Sequence, residues 1–170
     1  MTDFDFEESL KTYCDWAEAK YRSGMNLQYT KTKNGESKTL TIELAPILDA
    51  KSAPDWNAKI SLQLTPAELC EAASVMFGLA EEMRCSYHGK SRNKGALIKS
   101  SRDKGVFFAL SENGRKLMHI LPSSKQPQVC AFFLRRLAEE WKISVLEVIA
   151  ILEGLEGRKA RMWSDNKVGN

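Results

Sequence analysis

Between residues 25 and 121 apolar side chains recur at every second position in short runs, and one stretch of helical spacing divides those runs into two groups. Period two is what a half-buried strand requires, because successive side chains point to opposite faces of a sheet. Met25, Leu27 and Tyr29 alternate with Asn26, Gln28 and Thr30. Asn34-Gly35 then offers a pair suited to positive φ in a tight hairpin, and Leu40, Ile42 and Leu44 form the return strand until Pro46 ends the pairing. A loop over 47–55 leads to a third strand with Ile60, Leu62 and Leu64 on one face. Four more strands are expected at about 84–89, 95–101, 105–111 and 115–121, the last two joined through Asn113-Gly114. Parallel winding needs a helix between successive strands, so this order predicts an α+β chain of antiparallel sheets with three to four strands each.

The dividing stretch starts at Thr65-Pro66-Ala67-Glu68, which reads as an N-cap, a proline at the first helical position and a capping box. Its apolar face, Leu69, Ala73, Met76, Phe77 and Ala80, is a core stripe. A second helix follows Pro122 and Pro127 with Val129, Phe133, Leu134, Leu137 and Trp141. Ser144-Val145-Leu146-Glu147 is another capping box, and the helix it opens is expected to end near Gly154 or Gly157, with 163–170 loose. Phe6, Leu10, Tyr13, Cys14, Ala17 and Tyr21 are spaced by threes and fours, which predicts an amphipathic helix at the N-terminus. The expected division is therefore 1–23 for that helix, 24–143 for the main domain and 144–170 for the last helix and tail.

No run approaches the roughly 18 apolar residues of a membrane span, and the acidic N-terminus has no signal-peptide order, so a soluble cytoplasmic protein is expected. Cys14, Cys70, Cys85 and Cys130 contain no C-x-x-C pair and are expected to be free, mostly buried thiols. Gly89-Lys90-Ser91 lacks the glycine that a phosphate-binding loop needs at position 84, where Arg84 stands. Cys85 and His88 are close enough in sequence to share a metal, but no second pair completes a four-ligand zinc site, so a structural histidine is expected. Nothing points to catalysis or to a cofactor.

The net charge of +3 conceals an asymmetry: residues 84 to 104 hold seven bases and one acid, Asp103. A field of that sign attracts polyanions. Tyr87, Phe107 and Phe108 interleave with these bases, while Lys31, Lys33 and Lys38 flank the first hairpin. Aromatic faces for stacking and cations for phosphates can together hold an unpaired strand without reading its sequence. A solvated basic face with its aromatics in the core fits these residues as well.

Thr41-Ile42-Glu43-Leu44-Ala45-Pro46, Asp55-Trp56-Asn57-Ala58-Lys59 and Leu64-Thr65-Pro66-Ala67-Glu68 follow one another in an order that resembles Whirly proteins. Cys85-Ser86-Tyr87-His88, Gly89-Lys90-Ser91, Phe107-Phe108-Ala109-Leu110-Ser111 and the helix closing at Trp141 extend the resemblance over about 25–142. It implies two antiparallel four-stranded sheets, each followed by a helix, in tetramers that bind single-stranded DNA along sheet edges between protomers, the last two helices serving assembly. Only three strands are evident before the first helix, and Lys31-Thr32-Lys33 is at best a remnant of the Lys-Gly-Lys-Ala-Ala-Leu segment of plant members.

The expected function is sequence-tolerant binding of single-stranded DNA in replication, recombination, repair or transcription, without enzymatic activity. Lys59, Lys90, Arg92, Lys94 and Lys99 are the expected phosphate contacts, with Lys31, Lys33 and Lys38 on the first hairpin; Trp56, Tyr87 and Phe107 are expected against bases, Trp56 with an equally good structural role. RNA binding and a protein-interaction scaffold of the same fold are the alternatives.

Overall fold

A computed structural model describes residues 8–14, 21–49 and 51–168. Strands β1 (Ser9–Cys14), β2 (Ser23–Lys31), β3 (Lys38–Pro46) and β4 (Ile60–Gln63) precede helix α1 (Pro66–Met76). Strands β5 (Glu82–His88), β6 (Lys94–Ser101), β7 (Gly105–Glu112) and β8 (Arg115–Leu121) precede α2 (Gln126–Trp141) and α3 (Val145–Val168). Each group of four is an antiparallel sheet in chain order. The α+β class and the sheet-then-helix order expected from the sequence are thus observed.

The N-terminal segment differs from expectation. Ser9–Cys14 is a strand paired with β2, not part of a helix, and the boundary placed at residue 24 would cut through the first sheet. Phe6 and Ala17, on which the helical reading also leaned, lie outside the described residues. Leu10, Thr12 and Cys14 face inward, and Thr12 hides the alternation because it is polar. It is buried because its hydroxyl meets His119 of β8 at 3.0 Å. Without β1 the backbone edge of β2 would be open to any other strand.

The inner faces of both sheets and of α1 and α2 share one core, in which Met25, Leu27, Ile42, Phe108, Phe132 and Phe133 are fully buried. The Thr65 capping box forms as the sequence implies. Helix α2 is tied to the first sheet by Arg136, whose guanidinium, 2% exposed as a residue, donates to the carbonyls of Thr39 and Thr30 at 2.7 and 2.6 Å and lies 4.6 Å from the Tyr29 ring. Tyr29 in turn donates to the Phe132 carbonyl at 2.6 Å.

Helix α3 passes through both Gly154 and Gly157, where it was expected to stop, and includes residues taken for a loose tail. A Cβ at either glycine would meet open space, so neither marks a close approach, and the helix is supported locally by Glu156–Lys159 at 3.0 Å. Two exposed glycines weaken such a helix by about 1 kcal/mol each without ending it.

The four thiols are free: Cys14 is buried, while Cys70, Cys85 and Cys130 are only partly so. No described helix is long and apolar enough to cross a membrane.

Candidate nucleic-acid interface

The basic segment of the sequence becomes the β5–β6 hairpin and the outer face of the second sheet. The β5–β6 register breaks between Cys85 and His88, and inside that break Tyr87 has φ of 64°. A bulky residue in the left-handed region costs about 1–3 kcal/mol. The break directs the ring outward, leaving Tyr87 78% exposed. Gly89 and Arg92 also have positive φ, which turns the chain tightly through Lys90 and back into β6. Lys90 and Arg92 are exposed and form no ion pair among the described residues.

Two grooves adjoin this hairpin. The first, about 420 Å³, lies on the outer face of the second sheet over Leu97, Ala109 and Ser111, with Arg84 and Lys116 at its rim and Ser86 at the hairpin end. The second, about 340 Å³, runs between β4 and the hairpin and is lined by Lys33, Ser61, Gln63, His88, Gly89 and Lys94. Lys33 therefore joins the hairpin from a distant part of the chain. Arg84 and Lys116 were not among the expected contacts; Lys116 reaches the groove because it pairs in register with Ser111 on its floor.

The remaining expected contacts are placed differently. Lys94 spans the two sheets, donating to the Ser61 carbonyl at 2.9 Å and pairing with Glu112 at 3.2 Å. Lys59 pairs with Glu43 at 2.6 Å, and the same buried carboxylate accepts from Asn26 and Ser61. Burial acts to raise the Glu43 pKa, but hydrogen bonds from Lys59 and Asn26 prevail and hold it below 4.5. Lys99 shares Glu82 with Arg84, at 3.8 and 2.9 Å, so those two cations carry one net charge between them. Lys31 and Lys38 face each other across β2 and β3, and Lys38 lies beside α2, 3.8 Å from Glu139.

Among the expected aromatics, only Tyr87 stands free. Trp56 sits in a 3₁₀ turn with the Lys11 ammonium 5.3 Å from its ring centroid. It covers Gly24, where a Cβ would come within 3.1 Å of the indole and 2.6 Å of Pro54. Phe107 is met edge-on by Tyr21 at 6.2 Å. In register Phe107 pairs with Lys99, which pairs with Glu82, five residues before Tyr87. The two rings thus belong to opposite ends of the sheet, roughly 16 Å apart along the strand.

Behind the hairpin, His88 Nε2 lies 2.9 Å from Glu68 Oε1, and the Cys85 thiol joins them within 4.8 Å. Burial, reinforced by the Glu68 charge, pushes the Cys85 thiol up to about 11. These are the described side chains grouped closely enough to hold a metal ion.

No family model matches the sequence, and no curated protein matches it. Solved structures do. The plant transcriptional regulator PBF-2 aligns at 14% identity and TM-score 0.57, over 87% of this chain and 95% of that one. WHY3 from Arabidopsis thaliana aligns at 13% and 0.55, over 82% and 90%. A chain of a guide-RNA-binding protein complex bound to a gRNA aligns at 9% and 0.55, over 78% and 91%. At such identities the likeness is one of fold: the chain has a Whirly-type architecture.

Proposed function

We propose that this chain is a non-enzymatic protein that binds single-stranded nucleic acid, single-stranded DNA in the first place, along the β5–β6 hairpin and the grooves beside it. One observation carries the reading: β5 breaks its ladder and leaves Tyr87 78% exposed on the same hairpin as Lys90 and Arg92, which form no ion pair among the described residues, next to a groove with Arg84 and Lys116 at its rim. A base stacked on that ring requires an unpaired strand, because duplex bases expose only their edges. The exposed cations of the hairpin and the groove rim contact phosphate and the Tyr87 ring stacks on any base, and neither kind of contact carries sequence information, so sequence tolerance follows. The likeness to a plant transcriptional regulator and to a gRNA-bound complex supports the same class of ligand. That gRNA complex also favours RNA as the second reading. Replication, recombination, repair and transcription all present such strands, and assembly into a homo-oligomer, a tetramer by the resemblance to Whirly proteins, would align several of these surfaces.

The test is a fluorescence-anisotropy titration with oligo-dT, oligo-rU and a duplex of equal length at several salt concentrations. Three phosphate contacts, from Lys33, Lys90 and Arg92, give a log–log salt slope of about −2. The single strand should bind more tightly than the duplex. Absent or salt-independent binding would refute the proposal and leave the scaffold reading in its place.

A further inference from the structure

In an unbroken strand Cys85 and His88, three positions apart, would face opposite sides of the sheet. The register break between them removes that opposition. It turns His88 to the inner side, where Cys85 already packs against the core and where the first turn of α1 presents Glu68. The backbone distortion that exposes Tyr87 is thus also the one that assembles a thiol, an imidazole and a carboxylate with all ligand atoms within 4.8 Å of one another. The geometry points to a binding site for a divalent transition metal, zinc by its ligand set, formed by Glu68, Cys85 and His88 and not required by the nucleic-acid reading.

The chemistry of each group fits. Cysteine sulfur, histidine nitrogen and carboxylate oxygen are the zinc ligands of proteins, and three of them leave a fourth position for water. Ligand atoms about 2.0–2.3 Å from a tetrahedral zinc lie roughly 3.3–3.6 Å apart, so the widest pair must close by only about 1 Å. Glu68 can ligate without giving up its cap, because Oε2 accepts from the Thr65 backbone N–H at 2.8 Å while Oε1 is the atom facing His88. The His88 and Glu68 side chains are 17% and 18% exposed, which shelters the ion yet leaves an entry path. On binding, the Cys85 S–H bond breaks and its proton leaves to solvent as the S–Zn bond forms. If His88 Nε2 carries the proton of its hydrogen bond to Glu68, that proton passes to Nδ1 as Nε2 gives its lone pair to the metal. No electron transfer occurs.

The ion would tie β5 to α1 under the hairpin and so fix the bulge that holds Tyr87 outward. Cobalt(II) titration of the reduced, full-length protein tests the site without any oligonucleotide. The expected result is saturation at one equivalent, with visible d–d bands of tetrahedral intensity and a near-ultraviolet thiolate-to-cobalt band, both bleached by zinc. Cys85→Ser should abolish the thiolate band, His88→Gln should weaken zinc in chelator competition at least about 10-fold, and a Cys70→Ser/Cys130→Ser double variant should behave as wild type. Circular dichroism confirms that each variant is folded. If one does not fold, the wild-type titration and the double variant still decide. A wild-type titration with no tetrahedral spectrum, or a thiolate band that survives Cys85→Ser or vanishes in the double variant, would overturn the proposal.

Discussion

Lowering the pH from about 7.5 to about 5 should destabilise this protein through one side chain, His119. The ring lies wholly buried on β8, with Nδ1 2.8 Å from Ser23 Oγ and Nε2 3.0 Å from Thr12 Oγ1. The Ser23 hydroxyl donates to the Met118 carbonyl at 2.8 Å, so it accepts from Nδ1–H and leaves Nε2 to accept from Thr12. Burial pushes the pKa down from 6.5 to about 4, against a smaller opposing contribution from Ser23. With the folded pKa below the unfolded one, the unfolded chain holds the proton more tightly. The neutral ring's contribution is therefore complete above about pH 6.5, drains as the pH falls, and is gone below about pH 4. The full shift is worth about 3 kcal/mol, of which about 2 kcal/mol is lost by pH 5. At 2–4 °C per kcal/mol for a chain of this length, the midpoint should fall by about 4–8 °C. Urea unfolding of the wild type and of His119→Gln across this range is the assay. Glutamine does not titrate, so the variant should start less stable and lose less of its stability toward pH 5. Equal pH dependence in the two proteins would refute the argument, since His88 is common to both.

Other outcomes are expected. Tyr87→Gly should leave stability unchanged or raise it by about 1 kcal/mol, because glycine adopts positive φ freely, while oligo-dT affinity falls about 5- to 150-fold with the lost stacking; equal losses in both readouts would make Tyr87 structural instead. Glu43→Ala strands Asn26 and Lys59 and should cost about 2–3 kcal/mol in chemical denaturation. Because the Glu43 pKa lies below 4.5, its ionised contribution is present above that value and is lost as the pH falls through the folded pKa. Thr65→Ala removes the acceptor for the Glu68 backbone N–H and should cost about 1 kcal/mol in the same experiment. Gly105→Ala places a Cβ 2.1 Å from the Leu121 carbonyl at φ +92° and should destabilise by at least about 2 kcal/mol or fail to express in soluble form.

How much of this was legible before the structure depends on the range of the interaction. The strands around Ile42, Ile60 and Phe108 announce themselves by alternation, and α1 by Thr65 and Glu68, because each signal is a relation between near neighbours in the chain. The proposed interface was legible as a region, the basic stretch with Tyr87 inside it. The availability of its members was not. Lys59 and Lys94 pair with Glu43 and Glu112, and Lys99 shares Glu82 with Arg84, each carboxylate on a different strand, and sequence offers no way to pair a cation with a carboxylate 16 to 18 positions away. Metal-ligating potential at Cys85 and His88 was visible as spacing, but its third member, Glu68, comes from α1 and was read only as a cap.

The sequence by itself determined the period of seven of the eight strands, both capping boxes, the antiparallel order and the sign of the charge on the second sheet's hairpin. These rest on contacts that close within a turn or between adjacent strands. Tertiary structure alone decided that 9–14 is a strand, that α3 runs through its glycines, and that one aromatic of the expected set stands in solvent. In the first case the deciding partner, His119, is 107 residues from Thr12. A polar side chain is read locally as surface, and only the fold can supply the distant hydrogen bond that makes its burial favourable.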